Sequence, residues 1–267
     1  MITGIDHLVI ISPDLEQAVA NARQAGFTVV PGGTHADGAT HNALISFADG
    51  SYLELIAPTN GTEGTAHRWF ERLSKGGGLV DLCLGSDDLV SDVREINNRG
   101  RAYAEAQENG RHRPDGVELR WKGSMPPGAV GESGWPFLIE DVTPRSNRVP
   151  NAPEQVQHAN GARGVASVTV VVHDLTETTG HYEAITGRSA RTITPPVVDA
   201  PLATLIPFEK SWIMLTQPTA GQALEHLEKY GQGPYSVVLR THDGPVVPGK
   251  NRVIDPALLS GAHFELN

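Results

Sequence analysis

The chain has 267 residues, a formal net charge of −10, 29 glycines, 19 prolines and a single cysteine. That length allows one large domain or two ordinary ones. The acidic balance argues against unaided binding to nucleic acid or anionic lipid, and one cysteine excludes an intrachain disulfide framework and fits a reducing cytosol. No run approaches the roughly 20 apolar residues that a spanning helix needs, and no basic-then-apolar leader opens the chain. A cytoplasmic protein that handles a small molecule, without a membrane or nucleic-acid partner, is expected.

Ile5, His7, Val9 and Ile11 alternate and predict a short strand, and Ser12-Pro13-Asp14 predicts a helix start with proline pre-set for the first turn. His7 therefore sits mid-strand on an apolar face, where a hydrogen-bonded core histidine and a ligand are both open readings. Leu15, Val19, Ala22 and Ala25 recur at helical spacing, with Gly26 as a stop. Three strands are expected next: around Phe27–Val30, through His41–Phe47 and through Tyr52–Ile56, the last two joined at Asp49-Gly50. If Asp49-Gly50 is a two-residue turn, Ile45 lies across from Glu54. Glu54 then shares a face with Ile45, Ala43 and His41.

After a short helix near His67–Leu73, Gly76-Gly77-Gly78 restarts the pattern. Gly78 to Leu89 lines up with Gly4 to Leu15. Leu89, Val93 and Ile96 continue as a helix closed by Gly100, and strands are expected at Ala102–Gln107, Val117–Trp121 and Trp135–Glu140. In this register Asp81 takes the place of His7 and Glu140 that of Glu54. Pro144–Asn160 is polar and rich in Pro and Asn, which reads as a connection. A third copy begins at Gly164, with Ser167 for His7 and Met214 for Glu54. A degenerate fourth runs from Tyr235–Thr241 to Ala262–Asn267. The expected fold class is α+β, with tandem βαβββ modules forming incomplete barrels. Residues 1–143 would hold two modules (1–60 and 76–141), 144–162 a linker, and 163–267 one module plus a degenerate half.

The first and last strands of two adjacent modules would line one cleft and gather His7, Glu54, Asp81 and Glu140. One imidazole and three carboxylates form a hard, oxygen-rich set suited to Mn, Fe(II), Co, Ni, Zn or Mg. Such an ion could polarise a carbonyl or hold an enediolate while an unbound carboxylate moves a proton. Glu140, His41 and Asp81 are the candidate acid-base groups. Each has a plainer reading: Glu140 as a partner of Arg145 or Arg148, Asp81 as a buried hydrogen-bond acceptor, His41-Asn42 as a loop-closing pair. Arg113 or Arg120 could hold a carboxylate or enolate, with Asn42 and Trp121 as further substrate contacts. Cys83 reads as a small core residue. The sequence has no Walker loop, no Gly-x-Ser-x-Gly elbow and no His-Glu-x-x-His motif.

Five stretches carry a resemblance: Asp6-His7-Leu8; Gly38 with Thr40 to Leu44; Tyr52-Leu53-Glu54-Leu55; Arg113 to Gly116 with Leu119-Arg120-Trp121; and Pro136 to Glu140. Together they resemble the vicinal oxygen chelate superfamily, and specifically its glyoxalase-like branch, over nearly the whole chain. The resemblance implies metal ligation at His7, Glu54 and Glu140, with Asp81 where many members carry histidine. It also implies an isomerase, lyase or hydrolase that acts on a small oxygenated substrate through a metal-stabilised enolate or oxyanion. Two alternatives stay open. One is a metal-free binding or drug-sequestering protein, as some members are. The other is an Fe(II) extradiol-type dioxygenase, which would want two histidines and one glutamate. A homodimer is compatible with this reading but is not needed to complete the site, and the ligand-free third module should be silent.

Overall fold

The computed structural model of the chain describes residues 1–59, 67–113, 115–195, 198–242, 244 and 251–267. The first module runs β1 (Ile2–Ile11), α1 (Leu15–Gln24), β2 (Val30–His35), β3 (Thr40–Ser46) and β4 (Tyr52–Pro58). After α2 (Phe70–Ser74), the second runs β5 (Gly78–Ser86), α3 (Leu89–Asn98), β6 (Gln107–His112), β7 (Glu118–Ser124) and β8 (Phe137–Asp141). A short helix α4 (Arg145–Arg148) precedes the third: β9 (Gly164–Val171), α5 (Leu175–Thr186), β10 (Arg191–Ile193), β11 (Ala203–Pro207) and β12 (Trp212–Thr216). Last come α6 (Gly221–Tyr230), β13 (Gly233–Arg240), β14 (Arg252–Ile254) and β15 (His263–Leu266).

Each module starts its helix by the same device. The side chains of Asp14, Asp88 and Asp174 accept the backbone N–H of Gln17, Ser91 and Glu177, which satisfies an otherwise orphaned donor of the first turn. Pro13 thus precedes the cap instead of opening the helix. The first strands also share a defect: Asp6, Val80, Ala166 and Tyr235, each two residues past the opening glycine of its unit, are left unpaired as β-bulges. A bulge bends its strand and re-aims the neighbouring side chains.

The first two modules close into one barrel of strand order β1-β4-β3-β2-β6-β7-β8-β5. Closure comes from a two-residue ladder between β2 and β6, Thr34 with His112 and His35 with Arg111, across the gap an incomplete barrel would leave. The other strands form an open sheet, β10-β11-β12-β9-β13-β15-β14. Alternation sorts the barrel residues. Leu8, Ile10, Ala43, Ile45, Leu53 and Leu55 face outward into the main core with Ala18 and Ala22 of α1. Val9, Ile11, Ile56, Cys83, Phe137 and Ile139 pack inside the barrel.

The β3–β4 hairpin differs from the expected two-residue turn by one residue, with large consequences. Phe47 N–H bonds the Ser51 carbonyl and Gly50 N–H bonds the Phe47 carbonyl, so the loop is Ala48-Asp49-Gly50, with Gly50 at φ +89°. A turn followed by a left-handed glycine is the common three-residue hairpin loop. Glu54 then lies across from Leu44, and Asn42 across from Ile56. A slip of one residue reverses every side chain. Asn42 faces inward and His41, paired with Ala57, faces outward.

The connecting segment packs against the first module. His158 accepts the Thr28 N–H on Nδ1 and bonds the Ser46 carbonyl through Nε2, at 3.0 Å each. It is therefore the neutral Nε2–H tautomer. Burial pushes its pKa below the usual histidine value, against the smaller opposing effect of the Ser46 carbonyl.

Two outcomes follow for stability. Gly50→Ala should cost about 1 kcal/mol, because a side chain is strained at this φ although no neighbouring atom lies within 4 Å of an added Cβ. An unchanged urea midpoint would contradict the left-handed loop. For His158, the unfolded chain takes up a proton more readily than the native state. Its contribution is complete above the unfolded value near 6.5 and is lost as pH falls through that value toward the lower folded one. The stability gap between the parent protein and His158→Gln should narrow between pH 7.5 and pH 5, and a pH-independent gap would contradict a neutral buried ring.

Candidate active site

Asp6 is the residue around which the polar interior is built. Its carboxylate, 4% exposed, accepts two bonds from Arg148 (Nη1–Oδ1 3.0 Å, Nη2–Oδ2 3.1 Å) and one from His7 Nδ1 at 2.7 Å. Arg145 adds an ion pair. Burial would push the carboxyl up, but Arg148, the His7 bond and Arg145 outweigh it and hold Asp6 well below the usual carboxylate range. An ionised carboxylate only accepts, so His7 Nδ1 carries the proton. Arg148 also grips Asp141 through Nε at 2.5 Å and Nη2 at 2.9 Å, and donates to the Tyr52 hydroxyl at 2.7 Å. The His7 ring stacks on Tyr52 (centroids 4.5 Å apart, 15° between planes) and meets the edge of Phe137.

With Nδ1 tied, His7 turns Nε2 toward Glu54 Oε2 at 3.5 Å. From the opposite oxygen, His35 Nε2 approaches Glu54 Oε1 at 3.5 Å, its own Nδ1 held by Thr40 Oγ1 at 2.7 Å. Asn42 donates to Glu54 Oε1 at 2.5 Å and accepts from Arg111 Nη1 at 3.1 Å. Burial opposes ionisation of Glu54, yet His35, His7 and Asn42 outweigh it and lower its pKa to about 2. These groups line a cavity of about 60 Å³ inside the barrel, walled by Tyr52, Trp69, Trp121, Phe137 and Ile139. Arg111 and Arg148 line both this cavity and an outer cleft of about 270 Å³.

Two of the four expected ligands, His7 and Glu54, meet here. Asp81 does not join them. It lies beside the Val80 bulge and is committed to Arg68 at 3.0 Å, the Trp69 indole at 2.8 Å and the Leu82 N–H at 2.9 Å. Burial raises its carboxyl, with Arg68 and Trp69 offsetting only part. Glu140 is on the wrong face of β8. Its neighbour Ile139 points inward, while Glu140 accepts the Leu89 N–H at the start of α3 and pairs with Lys122. The ladders explain the mismatch. Val9 pairs with Glu54, and the repeat that sets Gly4 on Gly78 sets Val9 on Cys83, whose partner is Phe137. Phe137 occupies the place expected for Glu140.

Of the expected substrate contacts, Asn42 and Trp121 line the cavity. Arg113 lies in the outer cleft, paired with Asp115. Arg120 points away from the interior to Glu108. His41 is excluded by the hairpin register. Four interior groups were not among the candidate site residues: Asp6, His35, Arg111 and Arg148. The signal for His35 lies in β2, which continues through Pro31-Gly32-Gly33 to place His35 on the face of Asn42.

Two imidazoles and one carboxylate suit Mn, Fe(II), Co, Ni or Zn, and both rings have Nδ1 anchored with Nε2 turned to the shared carboxylate, as in metal-binding histidines. The donor set fits a divalent ion. Among the described residues, the trio whose ligand atoms all lie within 4.8 Å of one another is a different one, Asp6, His7 and Cys83. Its chemistry is poorer. Asp6 is saturated by two arginines, and burial pushes the Cys83 thiol well above its usual range.

A family model described as a glyoxalase-like domain matches residues 5–186. The chain belongs to this glyoxalase-like family of the vicinal oxygen chelate superfamily. No curated protein matches it. Among solved structures, a hypothetical protein from Staphylococcus aureus is similar over 98% of both chains, with 13% identity and a TM-score of 0.72. A triple mutant of 4-hydroxymandelate synthase from Streptomyces coelicolor is similar over 90% of this chain and 71% of that one, with 15% identity and a TM-score of 0.60. At these identities the likeness is one of fold. Among the described residues, no helix is long and apolar enough to cross a membrane.

Removing Asp6 would leave Arg148 buried with one of its two carboxylate partners and His7 without its anchor. Asp6→Ala should therefore cost about 3 kcal/mol or more in urea unfolding, whereas Glu140→Gln, whose Lys122 partner is partly exposed, should cost less than about 1 kcal/mol. Equal costs would contradict the central place of Asp6.

Proposed function

We propose that the barrel interior is the active site of a metal-dependent enzyme acting on a small oxygenated organic substrate, with His7, His35 and Glu54 as the metal ligands. The observation that carries this reading is the pair of imidazoles, each pinned at Nδ1, that present Nε2 to one buried carboxylate at 3.5 Å. That separation is long for a hydrogen bond, so the donors remain open to a further partner. When bound, the ion would supply Lewis-acid polarisation of a substrate oxygen, suited to isomerase, lyase or hydrolase chemistry.

The chain's own residues do the rest. Asp6 and Thr40 orient the two rings, and Asn42 fixes one oxygen of Glu54. Glu54, lowered to about 2, stays ionised near neutrality and holds charge instead of shuttling a proton. Trp69, Trp121, Phe137 and Ile139 exclude water from the cavity and offer a flat apolar wall to the substrate. Two histidines and a glutamate are also the set used by non-haem Fe(II) oxygenases, which favours ring-cleaving dioxygenase chemistry as a second reading. Metal-free binding is the third, favoured by the apolar second-module wall of Cys83, Phe137 and Ile139.

Elemental analysis of protein purified without added metal separates them. About one divalent ion per chain is expected, lost in His7→Ala, His35→Ala and Glu54→Gln but kept in Asp81→Asn and Glu140→Gln. Oxygen uptake on aerobic addition of a catechol to Fe(II)-loaded protein would select the dioxygenase. Metal-free protein that tightly binds an unchanged organic ligand would overturn the metal-dependent reading.

A further inference from the structure

Arg111 is 3% exposed, yet among the described residues no carboxylate lies within ion-pair distance of it. The other arginines around the barrel interior have one: Arg68 pairs with Asp81, Arg113 with Asp115, Arg145 with Asp6, and Arg148 with Asp6 and Asp141. The Arg111 fork has five N–H groups. It uses Nη1 on the Asn42 side chain at 3.1 Å and Nη2 on the Arg148 carbonyl at 3.2 Å. Neither acceptor carries a charge, and Glu54 is reached only through Asn42. A guanidinium taken out of water without a counter-charge is costly.

The placement is built into the backbone. A Cβ on Gly32 would collide with both Asn42 Oδ1 and Arg111 Nη1, so the glycine in the middle of β2 reserves the space in which the two side chains meet. Arg111 also forms part of the wall of both the barrel cavity and the arginine-lined cleft outside it. It therefore stands where a ligand's charged end would rest while its other end reaches His7, His35 and Glu54.

We propose that Arg111 recognises the substrate's charge, and that the ligand of this site is a compact carboxylate. The proposal rests on the reading of the cavity as an active site and names the substrate class of that site. The planar fork suits a carboxylate, which can take two parallel N–H bonds, and a neutral ligand would leave the buried cation without a direct counter-charge.

Lactate and its neutral amide, lactamide, are nearly the same shape and differ in charge. Calorimetric titration of the full chain, both as purified and after chelator treatment, should show lactate binding at least ten-fold tighter than lactamide. Arg111→Met should bring that ratio close to one, Arg111→Lys should restore part of it, and Arg120→Met, at the exposed pair with Glu108, should leave it intact. If Arg111→Met fails to fold, Gly32→Ala keeps the guanidinium but crowds its seat and should lower the ratio. Equal binding of the two probes, no binding of lactate, or a ratio that survives in Arg111→Met would overturn the proposal. Metal content is read separately: protein that holds no metal as purified yet keeps the charge preference spares this inference while sinking the metal-dependent reading, whereas a preference that persists after chelator treatment is expected under both.

Discussion

The buried carboxylate of Asp6 holds together pieces that lie far apart in sequence. It sits on the bulge of β1, takes the Arg148 fork from α4, and fixes the tautomer of His7 beside it. Burying such a pair costs several kcal/mol in lost hydration, repaid only if geometry and remaining hydrogen bonds are good. Arg148 meets that condition with five bonds to Asp6, Asp141 and Tyr52. The segment joining the barrel to the C-terminal strands thus supplies residues to the site. The orientation of Nε2 toward Glu54 depends on this ion pair.

The modules share a scaffold and differ in chemistry. The first supplies the polar groups His7, His35, Asn42 and Glu54. The second supplies an apolar wall and the Arg111 guanidinium, with Phe137 at the place of Glu54 and Asp81 withdrawn into its own pair with Arg68. In the third, Ser167 and Met214 stand where His7 and Glu54 stand in the first, and α6 lays Ala223 and Leu227 against Met214, Val171 and Ala203. Around Met214 the third module thus has apolar core where the first has the polar groups around Glu54. One fold can present different side chains in each module, because function resides in side chains grafted onto it.

Much of this was legible in the chain. Period-two alternation located the first strand, apolar residues at helical spacing located the first two helices, and the return of Gly4 to Leu15 at Gly78 and Gly164 revealed the modular build. The failures have specific causes. A three-residue hairpin loop in place of a two-residue one moved Asn42 in and His41 out. Pro31-Gly32-Gly33 looks like a break, yet the chain there continues as β2 and carries His35 into the barrel. Strict alternation would send Asp6 opposite to His7, and only the bulge lets both serve one site. Arg111 reaches Asn42, and Arg145 and Arg148 reach Asp6, through tertiary contacts over large separations, which no local pattern records.

The most direct test is anomalous diffraction from crystals grown with MnCl₂ and measured at a wavelength where manganese scatters strongly. A single peak in contact with His7 Nε2, His35 Nε2 and the Glu54 carboxylate is predicted. An empty barrel interior, or a peak at Asp81 or Glu140 instead, would contradict it.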